Sequence, residues 1–353
     1  MSSKDLKINL SSFDLLKGFA IILIILGHMI YFYDVERVKS ALWGLKILST
    51  PLMPMFFIIS GFGFKEKSIK KTLKTTFNSL IVPYIWVMVA FVVVYPIANY
   101  IGYGSWEWAA EVTFRYLLAF LLGVPKAGHV IGGYEVLYCS AVWFFLASFV
   151  ALNLLNLIIK VRKPVYQIVL VAICILIGYF LVLRDINYYC IPQGLMAVGS
   201  CYIGYLIKKY KLIERWTTSI YLYIVLIPIF LAHGIWCHMN LCLGEFRYGL
   251  WDYFAAICSA LLLIAAALNL EQFEGKILDG IRKIGVYSYW ILCIHSVEDG
   301  CMQWELFINA MPNQYVAFGG EIVLKAIIIS SGCVVLRKIS KNKYRRRMLR
   351  NGK

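Results

Sequence analysis

The chain has 353 residues, 61% of them hydrophobic and 15% charged, with a mean hydropathy of +0.73. Soluble domains run about 45–50% apolar and about 25% charged, so a soluble enzyme, a disordered chain and a fibrous one are all excluded. The net charge of +16, from 35 Lys and Arg against 19 Asp and Glu, would suggest a nucleic-acid surface in a soluble protein. In so apolar a chain it raises the question of membrane sidedness instead, and no nucleic-acid partner is expected.

A membrane-crossing helix needs about 20 mainly apolar residues. In chain order such segments fall at 13–33, 41–64, 80–98, 136–159, 165–183, 191–207, 217–236, 250–269, 284–300 and 316–336. They predict an all-α, polytopic transmembrane helical bundle of about ten spans. The segment 111–124 is apolar but short, and it holds Arg115, which suits an interfacial or re-entrant helix. No small-residue cleavage site follows the first apolar stretch, so that helix is expected to be retained.

Ten spans place both termini on one side. That side would carry 26 of the Lys and Arg, on the N-terminus, the loops 65–79, 160–164, 208–216 and 270–283, and the tail from 337. The opposite loops carry six: Arg37, Lys39, Arg115, Lys126, Arg184 and Arg247. The positive-inside rule therefore puts both termini in the cytoplasm of a multi-pass cell-membrane protein. The chain reads as one integral-membrane domain over 1–353, with 337–353 as a basic cytoplasmic tail.

The first span holds the most informative polar residues. Asp14 lies in its first turn, where the helix dipole favours a carboxylate, and Ser11 or Ser12 can cap it. Lys17 is one turn in. His28 follows eleven residues later, at about 100° per residue, on nearly the same face and about 16 Å along the axis. Ionisable groups in a span usually line a cavity. The plainer alternative is a snorkelling lysine and a hydrogen-bonded core histidine.

In the second span, Ser60, Gly61 and Gly63 form a small-residue surface. It allows either close helix packing or the approach of a ligand to the backbone. Lys65, Lys67, Lys70, Lys71 and Lys74 follow directly, a cluster suited to anionic membrane lipid or a phosphorylated ligand. Trp143 could stack on a sugar or simply fill the core. Near the end of the ninth span, His295 and Glu298 are helix neighbours, with Asp299 next. They could line an acceptor site or form a polar pair at the membrane boundary.

The ten cysteines form no CxxC pair. Cys237 and Cys242 could close a disulfide in an oxidising compartment. The spacing of His233, Cys237, His238 and Cys242 fits no common zinc pattern, and no metal is expected.

Four segments together resemble the bacterial membrane acyltransferase-3 family, which includes O-acetyltransferases of surface polysaccharides. They are Phe13-Asp14-Leu15-Leu16-Lys17-Gly18 through Gly27-His28, with a basic-x10-His spacing; Phe56-Phe57-Ile58-Ile59-Ser60-Gly61-Phe62; Val142-Trp143-Phe144-Phe145; and Tyr287-Ser288-Tyr289-Trp290 through His295, followed by Glu298 and Trp304. The chain departs from the family at Leu52, where members often carry His, and it lacks the Pro that commonly follows the WF segment.

The resemblance implies an acyl-CoA donor, acetyl-CoA above all, entering from the cytoplasm. It implies an acceptor hydroxyl on a carbohydrate or lipid-linked molecule at or beyond the membrane. His28 would be the general base, or would carry the acyl group in a covalent variant, and Asp14 would orient or pair with Lys17 or another cation. Lys17, Ser60, Gly61, Lys65, Lys67, Lys70 and Lys71 would hold the CoA moiety. Trp143, His295 and Glu298 would meet the acceptor. A transporter using the same polar cavity is the rival reading, and a lipid-binding module built on the lysine cluster is another.

Overall fold

The computed structural model describes residues 10–30, 32–33, 48, 50–213, 219–237 and 239–351, with side chains described as far as residue 338. The order of helices is α1 (Asp14–Ile30), α2 (Leu52–Gly63), α3 (Ile69–Thr76), α4 (Val82–Tyr103), α5 (Trp106–Leu122), α6 (Trp143–Ile158), α7 (Pro164–Leu183), α8 (Ile191–Lys209), α9 (Ile220–Trp236), α10 (Leu250–Leu270), α11 (Lys276–Cys301), α12 (Trp304–Ala310) and α13 (Gln314–Asn351). Two short antiparallel hairpins interrupt them, β1 (His129–Ile131) with β2 (Tyr134–Val136) and β3 (Met239–Asn240) with β4 (Glu245–Phe246). The protein is an all-α polytopic helical bundle.

Each of the ten expected spans contains a helix. Seven helices among the described residues are long and apolar enough to cross a membrane. Those at α2 and α9 are shorter, and residues 41–47 of the second expected span lie outside the described residues. α11 is long enough, but Asp279, Arg282, Lys283, Glu298 and Asp299 make it less apolar than the others.

The segment 111–124 belongs to α5, which is capped by Ser105 and folds back along α4. Its last turn meets α4 where the Tyr84 hydroxyl donates to the Phe120 carbonyl (2.6 Å). The chain then returns through the β1–β2 hairpin, and the Cys139 amide donates to the Val124 carbonyl (2.8 Å). Ser140, just before α6, donates from its hydroxyl to the Ser296 carbonyl near the end of α11 (3.0 Å). α5 therefore packs antiparallel along α4, and the hairpin closes back on its C-terminal end.

Two glycine-lined crossings position the rest. α1 and α11 run in the same direction, with Gly18 against Ile281 near one end and His28 beside Asp299 near the other. A Cβ at Gly285 would overlap the Asp14 carbonyl oxygen, and one at Gly18 would overlap that of Ile281. α2 and α8 meet likewise, Gly61 on the Cys201 backbone and Gly204 on that of Ile58. Small residues let helix backbones approach closely where no hydrophobic effect drives them together. Gly285→Val is expected to push α1 off α11 and cost about 1–3 kcal/mol or more. A thermal melt of the detergent-solubilised protein, with size-exclusion chromatography, checks this; an unchanged melting temperature would contradict the crossing.

The basic loops converge at one end of the bundle. Asn156, at the end of α6, clasps the Lys67 backbone at both its N–H and its C=O (3.1 Å each). Asn153 donates to the Thr76 hydroxyl (3.0 Å), which ties α3 to α6. Lys208, at the end of α8, lies over the Phe62 ring at the end of α2 (5.6 Å).

Candidate functional site

α1 carries His28 within its last turn, and α11 brings His295, Glu298 and Asp299 alongside it. The two imidazoles meet edge to face, ring centroids 5.3 Å apart. α13 adds Glu321 and Lys325, one turn apart on the same face. Tyr33, just beyond α1, completes the group.

The bonding pattern is that of a hub. The Lys325 ammonium lies 2.6 Å from Glu298 Oε1, 3.1 Å from Asp299 Oδ1 and 3.5 Å from Glu321 Oε1. The other oxygen of each carboxylate faces a ring-bearing side chain. Glu298 Oε2 is 3.0 Å from His295 Nδ1, Asp299 Oδ2 is 3.3 Å from His28 Nδ1, and Glu321 Oε2 accepts from the Tyr33 hydroxyl at 2.8 Å. The Trp304 indole ring lies 4.3 Å from the ammonium and adds a cation–π contact. Buried charges are tolerated only when paired and hydrogen-bonded, and this arrangement satisfies that condition for Lys325.

Burial separates the two histidines. His295 is fully buried, and its Nε2 has no hydrogen-bond partner among the described residues. The His28 side chain is 42% exposed, so its ring is reachable. An ionised carboxylate only accepts hydrogen bonds, so a ring nitrogen facing one carries the proton. Both imidazoles are thereby set as the Nδ1–H tautomer, with Nε2 free to accept a proton. One ligand atom each from His28, His295 and Asp299 lies within 4.8 Å of the others. The Lys325 ammonium already sits against Asp299, however, and opposes a divalent cation there.

The acyltransferase-3 family model, an acyltransferase domain, matches residues 10–336. The chain belongs to the acyltransferase-3 family. No curated protein and no solved structure matches the chain. This acyltransferase is a multi-pass membrane protein, and the match runs from the start of α1 into α13, so it includes every residue of the hub.

Of the residues singled out from the sequence, the acyltransferase brings together His28, His295 and Glu298. Asp14 and Lys17 sit at the opposite end of α1 as an ion pair (2.5 Å), so the carboxylate beside His28 is Asp299 and not Asp14. The Ser60 hydroxyl is spent within its own helix on the Phe56 carbonyl (2.8 Å). Gly61 is packed against the α8 backbone, so the close-packing alternative holds there and ligand approach is excluded. Lys65, Lys70 and Lys71 are exposed, while Lys67 is held through its backbone. Trp143 is 5% exposed and packs edge-on to Phe144, so it offers no face to a sugar.

Cys237 and Cys242 are both free thiols, which corrects the disulfide alternative. Burial pushes the Cys242 thiol well above its ordinary pKa. His233 is paired instead with Ser259 (3.2 Å), and His238 lies outside the described residues.

Sequence reasoning missed Lys325, Glu321 and Tyr33 as members of the site and left Asp299 without a role. One signal was available: an acid and a base four residues apart inside an apolar span. Nothing in the local sequence marks Tyr33.

Proposed function

We propose that this acyltransferase moves an acyl group, most simply acetyl, from cytoplasmic acyl-CoA to a hydroxyl of a carbohydrate or lipid-linked acceptor. The acceptor lies at the extracytoplasmic side of the cell membrane. The observation that carries the reading is the reachable His28 ring with a carboxylate at its Nδ1 and a buried second imidazole at its edge.

In this reading His28 Nε2 takes the proton of the acceptor hydroxyl as the oxygen attacks the thioester carbonyl. Asp299 stabilises the imidazolium that forms. The tetrahedral intermediate collapses with loss of the CoA thiolate, which takes the proton back from His28. His295, held by Glu298 and packed edge to face on the first ring, keeps the His28 imidazole in place. CoA phosphates bind at the exposed lysines of the loop and α3. Lys17 takes part only by exchanging Asp14 for a phosphate, because the two are already paired.

Two measurements test the proposal. The protein in liposomes with acetyl-CoA inside should release free CoA as an external glycan acceptor becomes acetylated, read by mass spectrometry. Movement of a substrate without any CoA requirement would make it a transporter. For the donor end, Lys65→Gln, Lys70→Gln and Lys71→Gln together are expected to raise KM for acyl-CoA about tenfold at low salt and leave kcat unchanged, with the difference shrinking as salt rises. An unchanged KM would move the donor site elsewhere.

A further inference from the structure

We propose that Lys325 is the positioning residue of this site. By hydrogen bonds to Glu298 and Asp299 and an ion pair with Glu321, its ammonium fixes the orientation and tautomer of both imidazoles. The inference rests on the acyl-transfer reading for its rate measurement only.

The geometry divides the labour cleanly. The Lys325 ammonium donates hydrogen bonds to Glu298 and Asp299 on α11 and stands 3.5 Å from Glu321 on its own helix as an ion pair. Each carboxylate keeps a second oxygen, and these reach His295, His28 and the Tyr33 hydroxyl. Lys325 itself touches neither imidazole. It acts through Glu298 on the buried ring and through Asp299 on the reachable one. Without the ammonium, three carboxylates would face each other in a site where only Glu298 and Asp299 meet imidazoles. Such carboxylates repel one another and rotate apart, which releases the Nδ1–H arrangement on which a free Nε2 depends.

Lys325 also sets the electrostatic balance at His28. The titratable groups around that ring, among the described residues, are Asp299 and His295, backed by Glu298, Glu321, Lys325 and Tyr33. Removing the one ammonium leaves an excess of negative charge, which favours the protonated imidazolium. Removing a carboxylate does the reverse. The two directions distinguish this role from simple packing, which would scale the rate without moving its pH dependence.

The experiment compares Lys325→Met, Lys325→Arg and Glu321→Gln by two readouts. One is the pH profile of acyl transfer. The other is carbethoxylation of His28 by diethyl pyrocarbonate against pH, read by peptide mass spectrometry, which needs no activity. Lys325→Met is expected to lower the rate at least about 100-fold. It should move the acid limb of both profiles to higher pH by about one unit. Lys325→Arg keeps the charge, so the limbs stay in place and part of the rate returns, because a planar guanidinium cannot reproduce three single contacts. Glu321→Gln, which touches no imidazole, moves both limbs to lower pH. Limbs that stay in place in folded Lys325→Met overturn the proposal, and so does a rate loss without a carbethoxylation shift. If Lys325→Met does not fold, Glu321→Gln decides alone, and an unmoved limb overturns the proposal. If the wild type transfers no acyl group while the carbethoxylation limbs move, the catalytic reading fails and the positioning role stands.

Discussion

His28→Ala is expected to abolish acyl transfer, lowering kcat by about 10³-fold or more, while the protein still inserts and runs as a monodisperse species in detergent. The size follows from the role: a positioned general base contributes about 10²–10⁴-fold, and no other reachable imidazole stands in the same place. His295 cannot substitute, because it is fully buried behind the first ring. Folding should survive, because His28 is partly exposed and the contact that locks α1 to α11 lies at the Gly18–Gly285 end. Steady-state release of CoA from acetyl-CoA checks the rate, and a thermal melt checks the fold. Retained transfer in a folded His28→Ala protein would remove His28 from the mechanism.

Asp299→Asn should come close to the same loss, about 10²–10³-fold in kcat, with KM for acyl-CoA unchanged. The substitution keeps the shape of the side chain but replaces an obligate acceptor by a group that can donate. An amide N–H pointing at His28 Nδ1 favours the opposite tautomer, with the proton on Nε2 where a lone pair is needed. The donor end of α1 lies about 16 Å away, so acyl-CoA binding should not feel the change. The double variant His28→Ala with Asp299→Asn should be no slower than His28→Ala alone, because the two side chains act as one unit. Additive losses in that double variant would mean that Asp299 serves the reaction independently of His28.

Much of the architecture was legible because the bilayer imposes a simple rule. An apolar run of sufficient length must become a helix, since no other backbone arrangement satisfies its own polar groups in lipid. That rule located a helix for each expected span, but it read 111–124 as shorter than the 17-residue helix α5 that contains it, because Trp106, Trp108 and Glu107 at its start are not a plain apolar run. The site was legible only where one helix sufficed. His28 stood out within α1, and His295 with Glu298 stood out within α11, because each pattern is local. The partner of His28 is 271 residues away in sequence, and no spacing rule joins α1 to α11. Asp14 pairs with Lys17, as one sequence alternative had it, and the carboxylate that faces His28 is Asp299, which no local pattern could name. Gly61 and Trp143 failed for a related reason. A glycine or a tryptophan reads the same whether a ligand or a neighbouring helix fills the space beside it, and here α8 and the aromatic core fill it.

The α1–α11 pair is joined by close backbone packing at one end and by side chains at the other. Near Asp14 and Lys17 there is no room even for a methyl group, whereas a Cβ at Gly27, next to His28, would meet nothing within 4 Å. Tolerance to change is therefore distributed unequally along a single pair of helices. At Gly27 a side chain can be added without moving a backbone, whereas beside the ion pair at the other end it cannot. A lineage built on this scaffold is free to change residue 27 one substitution at a time, while the steric lock holds Gly18 and Gly285 to a single design.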